Sequence, residues 1–150
     1  MYIVGIDPGL LFTGVAVSFL ENNEYKIVFT EEINSKKKKE ISDRLLYIYN
    51  SIEIIIDKYQ PKILCVEQSF VNINPSTSLK LNMVVGNILL LGAKKNIEVK
   101  IFSPNQIKKF ITGSGFASKE KIKLFIQSLT NYKTNSSHIN DAIALSILGK

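Results

Sequence analysis

Ile63-Leu64-Cys65-Val66 is an uninterrupted apolar run, and it ends in a carboxylate, Glu67. A strand with no alternation of apolar and polar residues is buried on both faces, as in the centre of a sheet covered by helices. The residues before it agree with that position. From Lys37 to Tyr59, Ile41, Leu45, Ile48, Ile52 and Ile55 recur at steps of three and four, which predicts a long amphipathic helix stopped before Pro61. A helix leading into a buried strand is a crossover, so an earlier strand should pair with 63–67 in parallel.

That earlier strand lies at the start of the chain. Tyr2-Ile3-Val4-Gly5-Ile6-Asp7 is apolar and β-branched, and Pro8-Gly9 closes it with a turn. TGVAVSFL (13–20) reads as a second strand and YKIVFTEEI (25–33) as a third, with the turn signal ENNE between them. These three form an antiparallel meander. Pro75-Ser76 then opens a helix reaching Lys95, in which Gly86 and Gly92 permit close packing, and IEVKIF (97–102) is a fifth strand. Ser103 as a cap with Pro104 in the first helical position starts another helix, and two more follow near 119–129 and 137–148. The expected architecture is α/β within one domain, 1–150. Three antiparallel strands and then parallel βα units make a five-stranded mixed sheet flanked by helices.

A chain of 150 residues with 45% hydrophobic and 21% charged residues can bury a full core. Its apolar runs, such as NILLLGA (87–93), are shorter than the ~20 residues of a membrane span. Met1–Asp7 is too short for a secretion signal, and Cys65 is the lone cysteine, so a reducing, cytoplasmic setting is expected without contact to membrane. The net charge of +6 favours a polyanionic partner such as nucleic acid. Much of that excess lies in Lys36–Lys39, which reads as the solvated start of the first helix.

If strands one and four pair in parallel, Asp7 and Glu67 emerge at the same edge of the sheet, where open α/β folds bind ligands. In HINDA (138–142), His138 and Asp141 are three apart and share a helix face. Laid across that edge, the helix would complete an oxygen-rich site with one imidazole. Such a donor set suits Mg²⁺ or Mn²⁺ and not a thiolate-seeking metal. Two divalent ions in one site hydrolyse phosphodiesters, and His138 would then be a ligand or would orient or activate the water. Singly, Asp7 reads first as a turn residue, and His138 and Asp141 read as the polar face of a helix start. Glu67 does not, because an unpaired buried carboxylate is costly.

GIDPG…TG (5–14), VEQSF (66–70), SLKL (78–81), NQIKKFITGSGFASKEKI (105–122) and HINDAIALSI (138–147), in this order, resemble the bacterial RuvC Holliday-junction resolvases over nearly the whole chain. The resemblance implies a ribonuclease-H-like fold, a homodimer, and paired symmetric nicking of four-way DNA junctions in recombination and repair. It implies two Mg²⁺ ions per active site, with Mn²⁺ an alternative. By position, Asp7, Glu67, His138 and Asp141 match the catalytic, metal-holding tetrad, whose third member is Asp in some relatives and His in others. Phe70 matches the aromatic placed at the junction centre, where unpaired bases can stack on it. Lys108 and Lys119 match basic residues beside the active site, fitted to hold the scissile phosphate or the transition-state charge. The helix from Ser76 to Lys95 is the dimer contact that the resemblance implies, and a branch-migration complex stays open as a further partner.

Two features depart from the family. The sequence ends at Lys150 without the tail many relatives carry, and SFVNINPSTS (69–78) replaces an Ala-rich loop. Catalysis is expected to survive both. Three other readings stay in view: a related nuclease acting on RNA·DNA hybrids or other branched DNA, a non-catalytic nucleic-acid-binding module, and a sugar-kinase or actin-type ATPase lobe. The last needs two lobes, and 150 residues supply one.

Overall fold

In a computed structural model, the structure describes residues 1–68, 74–113 and 118–150. Strands β1 (Tyr2–Asp7), β2 (Phe12–Glu21) and β3 (Glu24–Asn34) form the meander. They are followed by α1 (Ile41–Tyr59), β4 (Ile63–Glu67), α2 (Pro75–Lys95) and β5 (Glu98–Phe102). The chain closes with α3 (Pro104–Thr112), α4 (Lys119–Thr130) and α5 (Ser137–Leu148). The strand order is β3-β2-β1-β4-β5, with β1–β2 and β2–β3 antiparallel and β1–β4 and β4–β5 parallel. The expected mixed sheet is present, and β1 is its centre.

Side chains alternate across the sheet and feed two apolar layers. Val4, Ile6, Val15, Val17, Leu64 and Val66 pack against Ile48, Ile52 and Ile55 of α1 and Val84, Ile88 and Leu91 of α2. On the other face, Ile3, Ala16 and Cys65 meet Ile107, Ile111, Ile122, Ile126 and the Ala142–Leu145 stretch of α5. Both faces of β1 and β4 are therefore covered, which is why their sequences show no polar alternation. Burial pushes the Cys65 thiol up to about 12, so it is an inert core group.

Local chemistry sets the element ends. Asn22 and Asn23 take the left-handed backbone that a two-residue hairpin turn requires, at φ of 50° and 66°. Ser103 and Gln106 close a capping box at the start of α3, and the Ser136 hydroxyl accepts from the Ile139 N–H to cap α5.

Two expectations change. Helix α1 begins at Ile41 and not at Lys37, so none of the four consecutive lysines is helical. The Lys38 N–H donates to the Ser35 carbonyl at 3.0 Å and the Ser35 N–H to the Leu11 carbonyl at 3.0 Å, which ties this segment to the β1–β2 turn. The second change concerns α2. With 21 residues it is long and apolar enough, by length and composition alone, to cross a membrane, although its constituent apolar runs are short. A third of its apolar window is packed inside the protein.

Candidate active site

The carboxyl ends of β1 and β4 lie side by side. Ile6 pairs with Val66, so the next residues, Asp7 and Glu67, leave the sheet together. Helix α5 crosses above β1 and β2, and two glycines let it come close. A Cβ on Gly5 would overlap the carbonyl oxygen of Ala142, and one on Gly14 would overlap that of His138. Gly14 is itself the partner of Asp7 across the β1–β2 ladder. The first turn of α5 is thereby pressed onto the edge that carries Asp7.

The result is a direct contact. His138 Nδ1 lies 2.7 Å from Asp7 Oδ2, with the Asp7 side chain 15% exposed and the imidazole 41% exposed. One helical turn further, Asp141 faces the same ground. Glu67 and Asp141 line one cavity of about 240 Å³, together with Lys108, Lys119, Ile107 and Ile122. A larger cavity of about 330 Å³, bordered by Ile56, Gln60, Pro61 and Lys62, lies at the other end of the sheet and contains none of the four tetrad residues. The larger cavity is charged too, with Asp57, Lys62 and Lys95, but only the smaller one brings two carboxylates, Glu67 and Asp141, together at the end of the sheet.

The electrostatics are those of negative groups crowded into low dielectric. Glu67 is pushed up to about 7, first by burial and then by the charges of Asp7 and Asp141, with Lys108 pulling the other way. Asp141 is pushed up to about 6 by burial and then by Asp7, against Lys119, His138 and Lys108. Asp7 is also raised, chiefly by burial, while its hydrogen bond to His138 and the charges of His138 and Lys119 lower it. Asp7 thus raises both Glu67 and Asp141, and Asp141 raises Glu67, so negative charge accumulates at this edge.

Among the described residues, no three His, Cys, Asp or Glu side chains are closed up into a finished metal cage. The donor set still fits a hard divalent cation: carboxylate oxygens in excess, one imidazole and no thiolate. The imidazole contact of Asp7 is made by Oδ2.

Of the residues singled out in the sequence, Asp7, Glu67, His138, Asp141, Lys108 and Lys119 gather at this one edge. Phe70 lies outside the described residues. Two further residues come into play that no motif announced. The Phe12 ring stacks on the His138 imidazole, with centroids 6.2 Å apart and planes at 23°. Glu32 is near enough to help raise Asp7, and its Oε2 accepts from the Ser136 hydroxyl at 2.7 Å, fixing the cap of α5. Phe12 and Glu32 are placed by the pairings Phe12–Asn34 and Gly14–Glu32 in the β2–β3 ladder. Only the alternation of β2 and β3, combined with a known register, could have found them.

Comparison with known proteins agrees with this architecture. The family model described as crossover junction endodeoxyribonuclease RuvC matches residues 3–148. The RuvC of Rickettsia typhi is 40% identical over 97% of this chain and 94% of its own length. That of Halothermothrix orenii is 33% identical over 98% of this chain and 90% of its own. Among solved structures, Thermus thermophilus RuvC superposes with a TM-score of 0.88 over 98% of this chain and 92% of that one, at 22% identity. A second structure of the Thermus protein, in complex with Holliday junction substrate, gives 0.90 over 98% and 91%, at 23% identity. These two show that the fold is shared. With a family model spanning all but the ends and relatives at this identity over nearly their full lengths, the chain belongs to the crossover junction endodeoxyribonuclease RuvC family.

Proposed function

We propose that this chain is an endodeoxyribonuclease that resolves four-way DNA junctions by paired nicks, as one nuclease domain over 1–150 acting in a homodimer. The observation that carries this reading is the trio Asp7, Glu67 and Asp141. Each is raised chiefly by burial, Glu67 and Asp141 also by the charge of Asp7, in a site bordered by Lys108 and Lys119. Such a site favours a divalent cation first and a phosphodiester beside it.

Asp7, Glu67 and Asp141 would hold Mg²⁺, two ions per site with Mn²⁺ an alternative, and His138 would complete the donor set or work next to it. When bound, the cation supplies Lewis-acid stabilisation of the phosphoryl centre and a nucleophile at neutral pH. The protein's own residues do the rest. Asp7 Oδ2 accepts from Nδ1, and in the neutral ring that bond keeps the proton on Nδ1 and leaves Nε2 to take one from the attacking water. Phe12, stacked on the ring, keeps its plane in register with Asp7. Lys108 and Lys119 offset charge on the phosphate as it builds in the transition state. Phe70 stacks on unpaired bases at the junction centre, the role its position in the family pattern implies.

Two opposed nicks need two sites, and α2 supports a two-fold pairing of chains. Leu79, Gly86 and Leu90 fall at i, i+7 and i+11 and so share a stripe. Leu79 and Leu90 are 61% and 62% exposed, and a Cβ on Gly86 would meet nothing. An open apolar stripe with a glycine at its middle suits the close approach of a second α2.

The test is nicking of a synthetic four-way junction, a linear duplex and an RNA·DNA hybrid, each with Mg²⁺ and with chelator. Symmetric, Mg²⁺-dependent nicks confined to the junction are expected. Cleavage of the hybrid alone would keep the site and overturn the substrate. No cleavage of any of them would leave a binding module.

A further inference from the structure

The geometry points to a second phosphate-binding edge, Lys36–Lys39, that grips the DNA backbone on the β3 side of the carboxylates. This rests on the reading that the site cuts DNA.

The run leaves the sheet at the catalytic edge. Asn34, the last residue of β3, pairs with Phe12, just as Gly14 pairs with Asp7 in the adjoining ladder. It is also held in place there. Ser35 is 1% exposed, and its hydroxyl donates to the Leu10 carbonyl. The Lys36 N–H donates to Asn34 Oδ1 at 3.0 Å, and Arg44 Nε donates to the Lys38 carbonyl at 2.9 Å. The backbone is thus anchored before, within and after the lysines, while all four side chains are exposed.

Two of their charges face rings, Lys36 over Phe12 and Lys38 over Tyr47, and none is matched by an acid among the described residues. Lys94 and Lys95 pair with Glu53 and Asp57, but among the described residues none of Lys36–Lys39 lies within ion-pair distance of a carboxylate. Four like charges also stand just ahead of the Glu40 cap, close to the positive end of the α1 dipole, where cations are unfavourable. A row of phosphates relieves both repulsions. The Lys36 ammonium lies 4.6 Å from the centroid of Phe12, the ring that stacks on His138, so the run begins two ring contacts from the catalytic imidazole.

The placement across the sheet gives the run its role. Lys108 and Lys119 flank the carboxylates from the β4–β5 side, and Lys36–Lys39 from the β3 side. Five strands span roughly 20 Å, the rise of about six nucleotides of one strand. A DNA strand crossing Asp7, Glu67 and Asp141 therefore meets ammonium groups on both sides of the phosphate being cut.

The experiment measures junction affinity against salt concentration in chelator, so that binding is read without cutting. It compares the parent chain, K36Q/K37Q/K38Q/K39Q, and a control of equal charge loss, K26Q/K58Q/K62Q/K150Q. The control lysines belong to the opposite end of the sheet. Lys26 pairs with Phe19 beside the start of β1, Lys58 lies in the last turn of α1, the Lys62 N–H bonds the Tyr2 carbonyl, and Lys150 bonds Asn23. Removing a lysine that neutralises one phosphate should make the slope of log affinity against log salt shallower by about 0.9. We expect the slope of the first variant to be shallower by about two to four units and that of the control by less than about one. Equal changes in the two variants, or an unchanged slope in the first, would reduce the run to net charge and overturn the inference. A parallel nicking assay separates the two readings. If the parent chain cuts no DNA, the nuclease reading fails; if it cuts and the slopes match, only the lysine edge fails.

Discussion

Asp7 and His138 stand 131 positions apart in the chain and are joined by a 2.7 Å hydrogen bond between Oδ2 and Nδ1. Neither residue arranges this alone. Asp7 is delivered by the end of the central strand, and His138 by a helix that two glycines allow to lie against the β1–β2 ladder.

Asp7→Asn keeps an oxygen for the imidazole but loses the charge that favours a cation. The variant should bind a four-way junction within a few-fold of the parent and nick it slower by on the order of 10²-fold or more. Gel-shift binding and single-turnover nicking, run on the same preparations, measure the two effects. Nicking at the parental rate would remove Asp7 from the metal site.

Gly14→Ala tests the approach of α5. The added methyl would overlap the His138 carbonyl oxygen, which is backbone and cannot swing away, so the helix start has to shift. Overpacking of this kind costs about 1–3 kcal/mol. The loss of nicking should exceed what that destabilisation explains, because His138 moves off Asp7. The comparison is made well below the variant's melting temperature. A variant that melts lower yet nicks normally would show that the contact does not matter to the chemistry.

Glu67 predicts a stability that falls as pH rises. Its carboxyl sits at about 7 in the folded, cation-free chain against 4.5 as the ordinary value, so between those limits the folded state binds more protons than the unfolded one. Stability therefore declines from about pH 4 to about pH 7 and then levels. Glu67→Gln removes that penalty. In chelator at pH 8 it should be more stable than the parent, by up to about 3 kcal/mol, and at pH 4 the advantage should vanish. Urea unfolding at the two pH values decides it, and an advantage that does not grow with pH would contradict the buried, ionised carboxylate.

The exposed stripe on α2 predicts the oligomer. Leu79→Glu combined with Leu90→Glu should convert a dimer to a monomer by sedimentation, since both side chains lie in the stripe and neither is part of the core. On a junction, paired nicks within one binding event should give way to single nicks, while each site keeps its chemistry. A dimer that survives the double substitution would move the interface off α2.

Much of this is legible in the residues. The steps of three and four from Ile41 to Ile55, and the unbroken run before Glu67, report burial directly, and burial is local in sequence wherever an element is regular. Glu67 is conspicuous for the same reason, as a carboxylate where an apolar strand ends. The lysine run is solvated and precedes α1, as its charge pattern reads, but the pattern does not place it on the sheet. Its charge pattern is that of a solvated helix start, whereas its position is decided by Ser35 bonding to Leu10 and Leu11, more than twenty residues earlier. Phe12 and Glu32 carry no mark in the sequence, since an aromatic or an acid in an outer strand is ordinary until its cross-strand partner is known.

The sequence by itself determined the period of each element, the caps that end them and the chemical types available, because these depend on residues within a turn or two of one another. Tertiary structure alone decided which groups meet. Register between strands and the clearance over Gly5 and Gly14 bring Asp7, Glu67, His138 and Asp141 to one edge. They do so because contacts across the sheet and between layers join residues that no local pattern relates.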